Sequence, residues 1–318
     1  MHPRVSILGA AVCAAALDAS ASCGSAFCLV NTDWSAQGAW TDGGARFDLR
    51  YETIDLDRPR AGRDRVAVGE IARDHDEVET RNRNVVAAVD WNLSPLWGVS
   101  LTLPYVDRRH LHLHHDGDEV HEERWNFRGL GDARVQARYV FTANDDPQLP
   151  CSAGLTFGLK LPTGKHDVVN GDGEAAERTL QPGTGTTDAL LGVFWHKSHP
   201  LTGWSYFTRA QAVVPIDSRD GFKPGRQLQA DAGARYAVSS KVGLMLQANL
   251  QVKGRDQGVN AEPEDSGQRA LYLSPGISWN AARDAQVYAY MQVPIYQSVN
   301  GVQLTAAWSA VAGVSWRF

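Results

Sequence analysis

Beyond its N-terminus, this 318-residue chain has no apolar run near the ~18 residues that a membrane-spanning helix requires, and its mean hydropathy is −0.32. A helical membrane protein is thereby excluded. A transmembrane β-barrel is not, because half of each of its strands faces the lumen and stays polar. An excess of positive charge is also missing. The 31 lysines and arginines stand against 36 aspartates and glutamates, a balance of −5, so no nucleic-acid footprint is visible and no nucleic-acid partner is expected. The "LPTGK" stretch at residues 161–165 lacks the leading glycine spacing of a phosphate loop. It reads as a strand exit, since Pro162 cannot continue a central ladder and Gly164 suits a turn. No cofactor is called for.

What is present begins with an export signal. Arg4 supplies the positive region, Val5 to Leu17 is apolar and alanine-rich, and "ASAS" offers small-residue cleavage after Ala21. Residues 1–21 are therefore expected to be a signal peptide, residues 22–44 a periplasmic or plugging segment, and residues 45–318 the folded body. Cleavage removes Arg4 and Asp18 together and leaves the balance at −5. Cys13 leaves with the signal, while Cys23, Cys28 and Cys151 enter an oxidising compartment. Two pairings fit that odd count, Cys28–Cys151 and Cys23–Cys28. Lipidation at Cys23 would reconcile it, but Ser20 stands where a lipobox has leucine. Phe27, Leu29, Val30, Trp34 and Trp40 make the 22–44 segment too apolar for a free tail.

From residue 46 onward, apolar and polar residues alternate with a period of two, segment after segment. Phe47, Leu49 and Tyr51 alternate with Arg46, Asp48, Arg50 and Glu52. The closing stretch sets Leu304, Trp308, Val314, Trp316 and Phe318 against Gln303, Thr305, Ser309, Ser315 and Arg317. Twelve such segments can be counted. Connections after even segments are short, such as "LSPL", "SSK" and "NAARD". Those after odd segments are mostly long and polar, near 58–80, 108–128, 163–185, 216–225 and 254–267. An even strand number, with short turns at one rim and long loops at the other, predicts an all-β transmembrane antiparallel up-and-down barrel of the bacterial outer membrane. Both termini then lie in the periplasm. Trp91, Trp97, Tyr139, Phe141, Trp195, Trp204, Tyr236, Trp279, Trp316 and Phe318 fall beside the short turns as an aromatic girdle at the headgroup level. The lipid bilayer is the expected surrounding. A C-terminal aromatic such as Phe318 resembles the signal by which the outer-membrane assembly machinery selects its substrates.

The parity facing away from lipid carries charge. Its basic set is Arg46, Arg50, Arg134, Arg138, Lys160, Arg209, Arg235, Lys253 and Arg317, and its acidic set is Asp48, Glu52, Asp90, Asp132, Asp188 and Asp231. Nine against six makes the expected lumen mildly positive, either as a filter or as paired charges filling a narrow barrel. Twelve strands enclose more space than eight and less than the sixteen of an open porin, so a narrow pore is expected, obstructed by the N-terminal segment or a folded loop. In "RRHLHLHHDGDEVHEE", His110, His112 and His114 share the inward face. Imidazoles two apart can chelate a transition ion with Asp116, Asp118 or His121, although three in a row span far for one ion; the alternative is a solvated polar loop.

Three stretches carry a resemblance: "GLGDARVQARY" at 129–139, "GLKLPTGKHD" at 158–167 and "GTGTTDALLGVFW" at 183–195. In order and spacing they resemble the phenol meta-cleavage-pathway (MetA) outer-membrane transporter family. The resemblance implies a channel for a small hydrophobic or aromatic compound; the mildly positive lumen adds anionic solutes, and no enzymatic activity is expected. The other readings are a metal-binding or structural barrel with a histidine-rich extracellular loop, and a lipid-modifying barrel enzyme. The last needs a Ser–His pair near the outer rim on the lipid side, and none is visible, since His196 and His199 fall in a short periplasmic connection.

Overall fold

The computed structural model describes residues 29–33, 37, 43–73, 75–116, 119–144 and 149–318. Its strands are β1 (Gly44–Ala61), β2 (Asp64–Arg65), β3 (His75–Asn92), β4 (Trp97–Asp116), β5 (Glu119–Leu130), β6 (Ala133–Asn144), β7 (Cys151–Leu161) and β8 (Asp188–His199), followed by β9 (Trp204–Pro215), β10 (Gln227–Ala237), β11 (Val242–Lys253), β12 (Gln268–Asn280), β13 (Ala285–Val299) and β14 (Val302–Arg317). Each wall strand pairs antiparallel with its sequence neighbour, and β14 pairs with β1 from Arg317↔Arg46 up to Val302↔Ala61. The sheet is closed. β2 only prolongs the turn of β1, and β5 and β6 occupy one wall position. The upper part of β4 pairs with β5 and its lower part with β6, the break falling at Gly131 and Asp132. Counted this way the wall is a closed twelve-stranded antiparallel β-barrel.

The two-residue period decides which face each side chain takes. Trp91, Trp279 and Trp316 are each more than half exposed, at 54%, 51% and 58%. Leu49, Val89, Leu101, Leu155, Leu191, Leu244 and Ile277 join them on the outer face. Apolar surface on this scale around a whole wall has no cover except lipid. Most of the expected girdle residues are exposed near the short turns; Tyr139 is half-buried, with its ring 4.7 Å from that of Trp97. Phe318 closes the wall by backbone pairing with β1: its amide donates to Ala45 O at 2.9 Å, and Ala45 N donates to Phe318 O at 3.0 Å.

Two expectations need correction. Residues 108–116 and 119–128 are not a polar loop but the upper halves of β4 and β5, paired from Tyr105↔Leu130 to Asp116↔Glu119. Likewise β1 runs to Ala61 and β3 begins at His75, inside the expected 58–80 loop. These extensions rise above the lipid belt, where outward residues form charged pairs such as Arg83–Asp55 and Arg124–Glu122. No lipid-facing apolar row is needed there, so the period vanishes while the ladder continues. The second correction is Leu304, which is only 3% exposed and packs inside the barrel. Register shifts between Ile54 and Leu56, and between Leu56 and Arg58, interrupt the alternation of β14 between Leu304 and Trp308, so that Gln303, Leu304 and Thr305 are all buried.

Glycines set the spacing inside the wall. Phe194, Phe207, Tyr288 and Tyr290 point inward, each directly across from a glycine on a neighbouring strand: Gly154, Gly233, Gly313 and Gly276. Aromatic rings laid over glycine in this way rescue an otherwise weak sheet position. A Cβ on Gly276 would lie 2.3 Å from the Tyr290 ring. Gly276→Ala is expected to destabilise the barrel by about 1–3 kcal/mol through overpacking, read as a lower urea midpoint. An unchanged midpoint would show that the ring does not depend on that gap.

Candidate transport lumen

The three quoted motifs come together at one place on the inner wall. The Gly-Asp of the first begins β6, the Leu-Pro-Thr-Gly of the second ends β7, and the third leads the long connection back into β8. Asp132 is the centre. Its Oδ1 accepts from Gly164 N at 3.1 Å, and its Oδ2 accepts from Lys160 Nζ at 3.0 Å, Thr184 N at 2.9 Å and Thr184 Oγ1 at 3.0 Å. Lys160 also meets Asp188 at 3.1 Å, and Thr186 Oγ1 donates to Asp188 at 2.9 Å. The glycines are sterically required: a Cβ on Gly183 would lie 2.5 Å from Asp132 Oδ1, and one on Gly164 would lie 2.8 Å from Gly183 Cα. Buried charges persist only when paired and fully hydrogen-bonded, and this knot meets that condition.

The knot fastens the 162–187 connection so that it folds into the barrel. Arg108 on β4 reaches across to donate to the backbone carbonyls of Thr179 at 3.3 Å, Leu180 and Gln181 at 3.4 Å. Ala176 and Leu180 then pack with Ile54, Leu56, Trp125, Phe127 and Leu304, a buried apolar cluster inside the extracellular half of the barrel. The sequence reading missed this cluster, because it assigned only charge to the inward parity. Ile54 and Leu56 continue the inward row of Arg50 and Glu52, and that is the signal that could have revealed it.

Beneath the cluster a cavity of ≈ 150 Å³ is lined by Val86, Pro104, Phe222, Arg50, Arg134 and Lys160. A second, of ≈ 140 Å³, lies against Leu29, Val30, Asp33, Arg50, Arg134 and Arg209. Residues Leu29–Asp33 occupy the lumen there. Asn31 N donates to Gln247 Oε1 at 3.1 Å, Gln247 Nε2 donates to Asn31 O at 3.0 Å, and Asn249 Nδ2 donates to Leu29 O at 3.4 Å. Val30 packs with Met245, Tyr288, Tyr290 and Val311. At the periplasmic mouth a wider space, ≈ 540 Å³, is lined by Arg46, Arg235, Lys241, Arg283 and Arg317.

The expected lumen residues fall into two groups. Arg46 pairs with Asp90 (Nε to Oδ2 3.2 Å), Arg50 with Glu52 at 2.9 Å, and Lys160 with Asp132 and Asp188 as above. Lys253 pairs with Asp256 at 2.9 Å, and Arg138 donates to Asn92. Arg134, Arg209 and Arg235 form no salt bridge among the described residues. Pairing therefore consumes part of the basic set and leaves these three arginines without an ion pair in the lower lumen, where Asp33, Asp48, Asp90 and Asp231 line the same cavity as Arg134 and Arg209.

Of the histidines, His110 is 2% exposed and hydrogen-bonds Thr80 Oγ1 through Nδ1 at 2.8 Å, His112 is buried, and His114 is half-buried. Burial, reinforced by the neighbouring His112, Arg108 and His75, holds the His110 imidazole well below its ordinary range. Glu262 nearby is pushed up to about 12 by burial and by the charges of Glu177, Glu77 and Asp265, against the pull of Arg73. Cys151 is half-buried and has no disulfide partner among the described residues, whereas Cys23, Cys28 and Asp118, and with them the expected pairings, lie outside the described residues. A Ser–His contact does exist, Ser152 Oγ to His196 Nδ1 at 2.8 Å. It sits near the periplasmic ends of β7 and β8, and His196 is buried, so it is not the outer-rim arrangement of a lipid hydrolase.

No curated protein matches this chain in sequence. Among solved structures it is similar to the COG4313 outer membrane channel from Pseudomonas putida F1, with a TM-score of 0.67 and 14% identity, covering 91% of this chain and 99% of that one. Looser matches are the NanC porin (TM-score 0.42, 12% identity, 86% and 100% covered) and the translocator domain of the autotransporter NalP from Neisseria meningitidis (0.43, 12%, 89% and 93%). The fold comparison rests on the first. The closed barrel, its lipid-facing belt and this likeness place the protein in the bacterial outer membrane. The family model described as "Putative MetA-pathway of phenol degradation" matches residues 77–309, most of the chain and all three converging motifs, and the protein belongs to that family.

Proposed function

We propose that the barrel is a channel for a small solute that is apolar or aromatic and carries at most a negative charge. One observation carries this reading: an apolar cluster fills the extracellular half of the lumen, directly above cavities lined by arginines. The upper cavity, at ≈ 150 Å³, is about the size that accommodates one benzene ring. Val86, Pro104 and Phe222 offer it apolar contact, while Arg134, which forms no salt bridge among the described residues, offers a carboxylate or phenolate charge-assisted hydrogen bonds. A hydrophilic porin would not place Trp125, Phe127 and Leu304 at its entrance. Passage requires the 162–187 connection and the Leu29–Asp33 segment to yield, since both occupy the lumen. The channel would act without chemical catalysis, and Phe318 would serve in its recognition by the assembly machinery.

Planar-bilayer recording tests the charge part of the reading. The reversal potential under a salt gradient is expected to report anion preference, and Arg134→Ala/Arg209→Ala is expected to reduce that preference. Cation preference in the unaltered barrel would contradict it.

A further inference from the structure

The histidine-rich hairpin brings together a group that no spacing rule would assemble. His75, the first residue of β3, His112 on β4 and Glu177 on the in-folded connection place one ligand atom each within 4.8 Å of one another. His75 Nε2 stands 3.4 Å from Glu177 Oε1. Two donors on a tetrahedral zinc ion with bonds of ~2.0–2.1 Å stand roughly 3.3 Å apart, so this pair already has the required separation. His112 is 7% exposed; its Nε2 meets Glu123 Oε2 at 2.7 Å, and its Nδ1 is buried with no hydrogen-bond partner. A carboxylate behind one ring nitrogen, which leaves the other to coordinate, is how metal-binding histidines are oriented. Both carboxylate oxygens of Glu177 are likewise buried without a hydrogen-bond partner, although its side chain is only 9% exposed. Orphaned buried polar atoms in two neighbouring side chains call for a ligand. Two imidazoles and one carboxylate favour zinc over calcium or magnesium, which take oxygen.

We infer that His75, His112 and Glu177 form a His₂Glu site for a divalent transition ion, Zn²⁺ in the first place, that clamps the in-folded 162–187 connection to the β3–β4 hairpin. The ligand set differs from three histidines of one strand. His110 is engaged by Thr80, and His114 takes no part. The ion bonds to Nδ1 of His112, with Glu123 as the supporting carboxylate, and a water or Glu77 can fill the remaining position. Since Glu177 lies between the apolar Ala176 and the lumen-facing Arg178 and Leu180, a bound ion would hold the apolar cluster in place.

Calorimetry with ZnCl₂ on the full mature barrel in detergent, after chelator treatment, decides the matter. The unaltered protein is expected to bind one Zn²⁺ per barrel, and His75→Ala/His112→Ala to lose that event. His114→Ala/His121→Ala should keep it, and Glu123→Gln should weaken it by about 10–100-fold. The cysteines are untouched in every variant, so binding at thiols would survive in all of them. Heat-modifiable migration checks that each variant folds. Should the double variant not fold, the isosteric Glu177→Gln gives the same decision. Equal heats in the unaltered protein and in Glu177→Gln or His75→Ala/His112→Ala, or absence of binding in the unaltered barrel, would overturn the site. Zinc should also slow trypsin cleavage at Lys165 and Arg178 in the unaltered protein alone.

Discussion

Asp132→Ala is expected to destabilise the barrel by at least about 3 kcal/mol and to release the 162–187 connection from the inner wall. Asp132 and Lys160 keep only 8% and 7% of their side chains exposed, so neither can turn to water. Removing the carboxylate strands the amides of Gly164 and Thr184, each costing about 1–3 kcal/mol if left unsatisfied. Lys160 would keep Asp188, which softens the loss. The comparison with Asp188→Ala is therefore the informative one. Among the described residues Asp188 accepts from Lys160 and Thr186 only, and its loss leaves the Asp132 bonds intact, so the smaller effect is expected there. Urea unfolding followed by tryptophan fluorescence gives the ranking, and trypsin accessibility at Lys165 reports release of the connection. Equal effects, or a larger one for Asp188→Ala, would remove Asp132 from the centre.

Deletion of residues 29–37 is expected to act on passage instead: a several-fold rise in conductance, with a loss of stability no larger than that of Asp132→Ala. Gln247 and Asn249 lose their bonds to the backbone of Leu29 and Asn31, but water entering the vacated space replaces them. Val30 gives up contact with Met245, Tyr288, Tyr290 and Val311, which costs about 1.5–3 kcal/mol at most. The barrel's hydrogen-bonded closure between β1 and β14 is untouched. What changes is the space: the cavity beside Arg50, Arg134 and Arg209 then opens toward the periplasmic mouth. Single-channel recording of the shortened and full-length barrels checks this. Unchanged conductance would mean that the segment does not limit passage.

The two-residue period made the wall legible because lipid and lumen make opposite demands on successive residues. Phe47, Leu49 and Tyr51 could be placed outside, and Arg46, Asp48 and Glu52 inside, from alternation alone. The reading failed where those demands stop. Above the membrane both faces of β4 and β5 meet water or protein, so hydrophobicity stops alternating over residues 108–128 and the stretch looked like a loop, although His110 and His112 keep the inward parity of β4. Leu304 followed the lipid-facing parity in sequence and the core in space, because a bulge cannot be seen without the partner strand. The three Gly-Asp and Pro-Thr-Gly motifs were recognisable as strand ends, yet nothing in their spacing says that Asp132, Gly164 and Thr184 meet. His75 and Glu177 lie far from His112 in sequence, inside what looked like polar connections. Only the folded register brings them within reach.

The central claim is that an apolar entrance above an arginine-lined lumen selects small apolar or anionic solutes. Permeation into liposomes carrying the purified barrel tests it most directly, with an aromatic carboxylate set against an uncharged polyol of the same size. Faster entry of the carboxylate is predicted, with the advantage reduced by Phe127→Ser and by Arg134→Ala. Equal rates for the two solutes, or faster entry of the polyol, would contradict it.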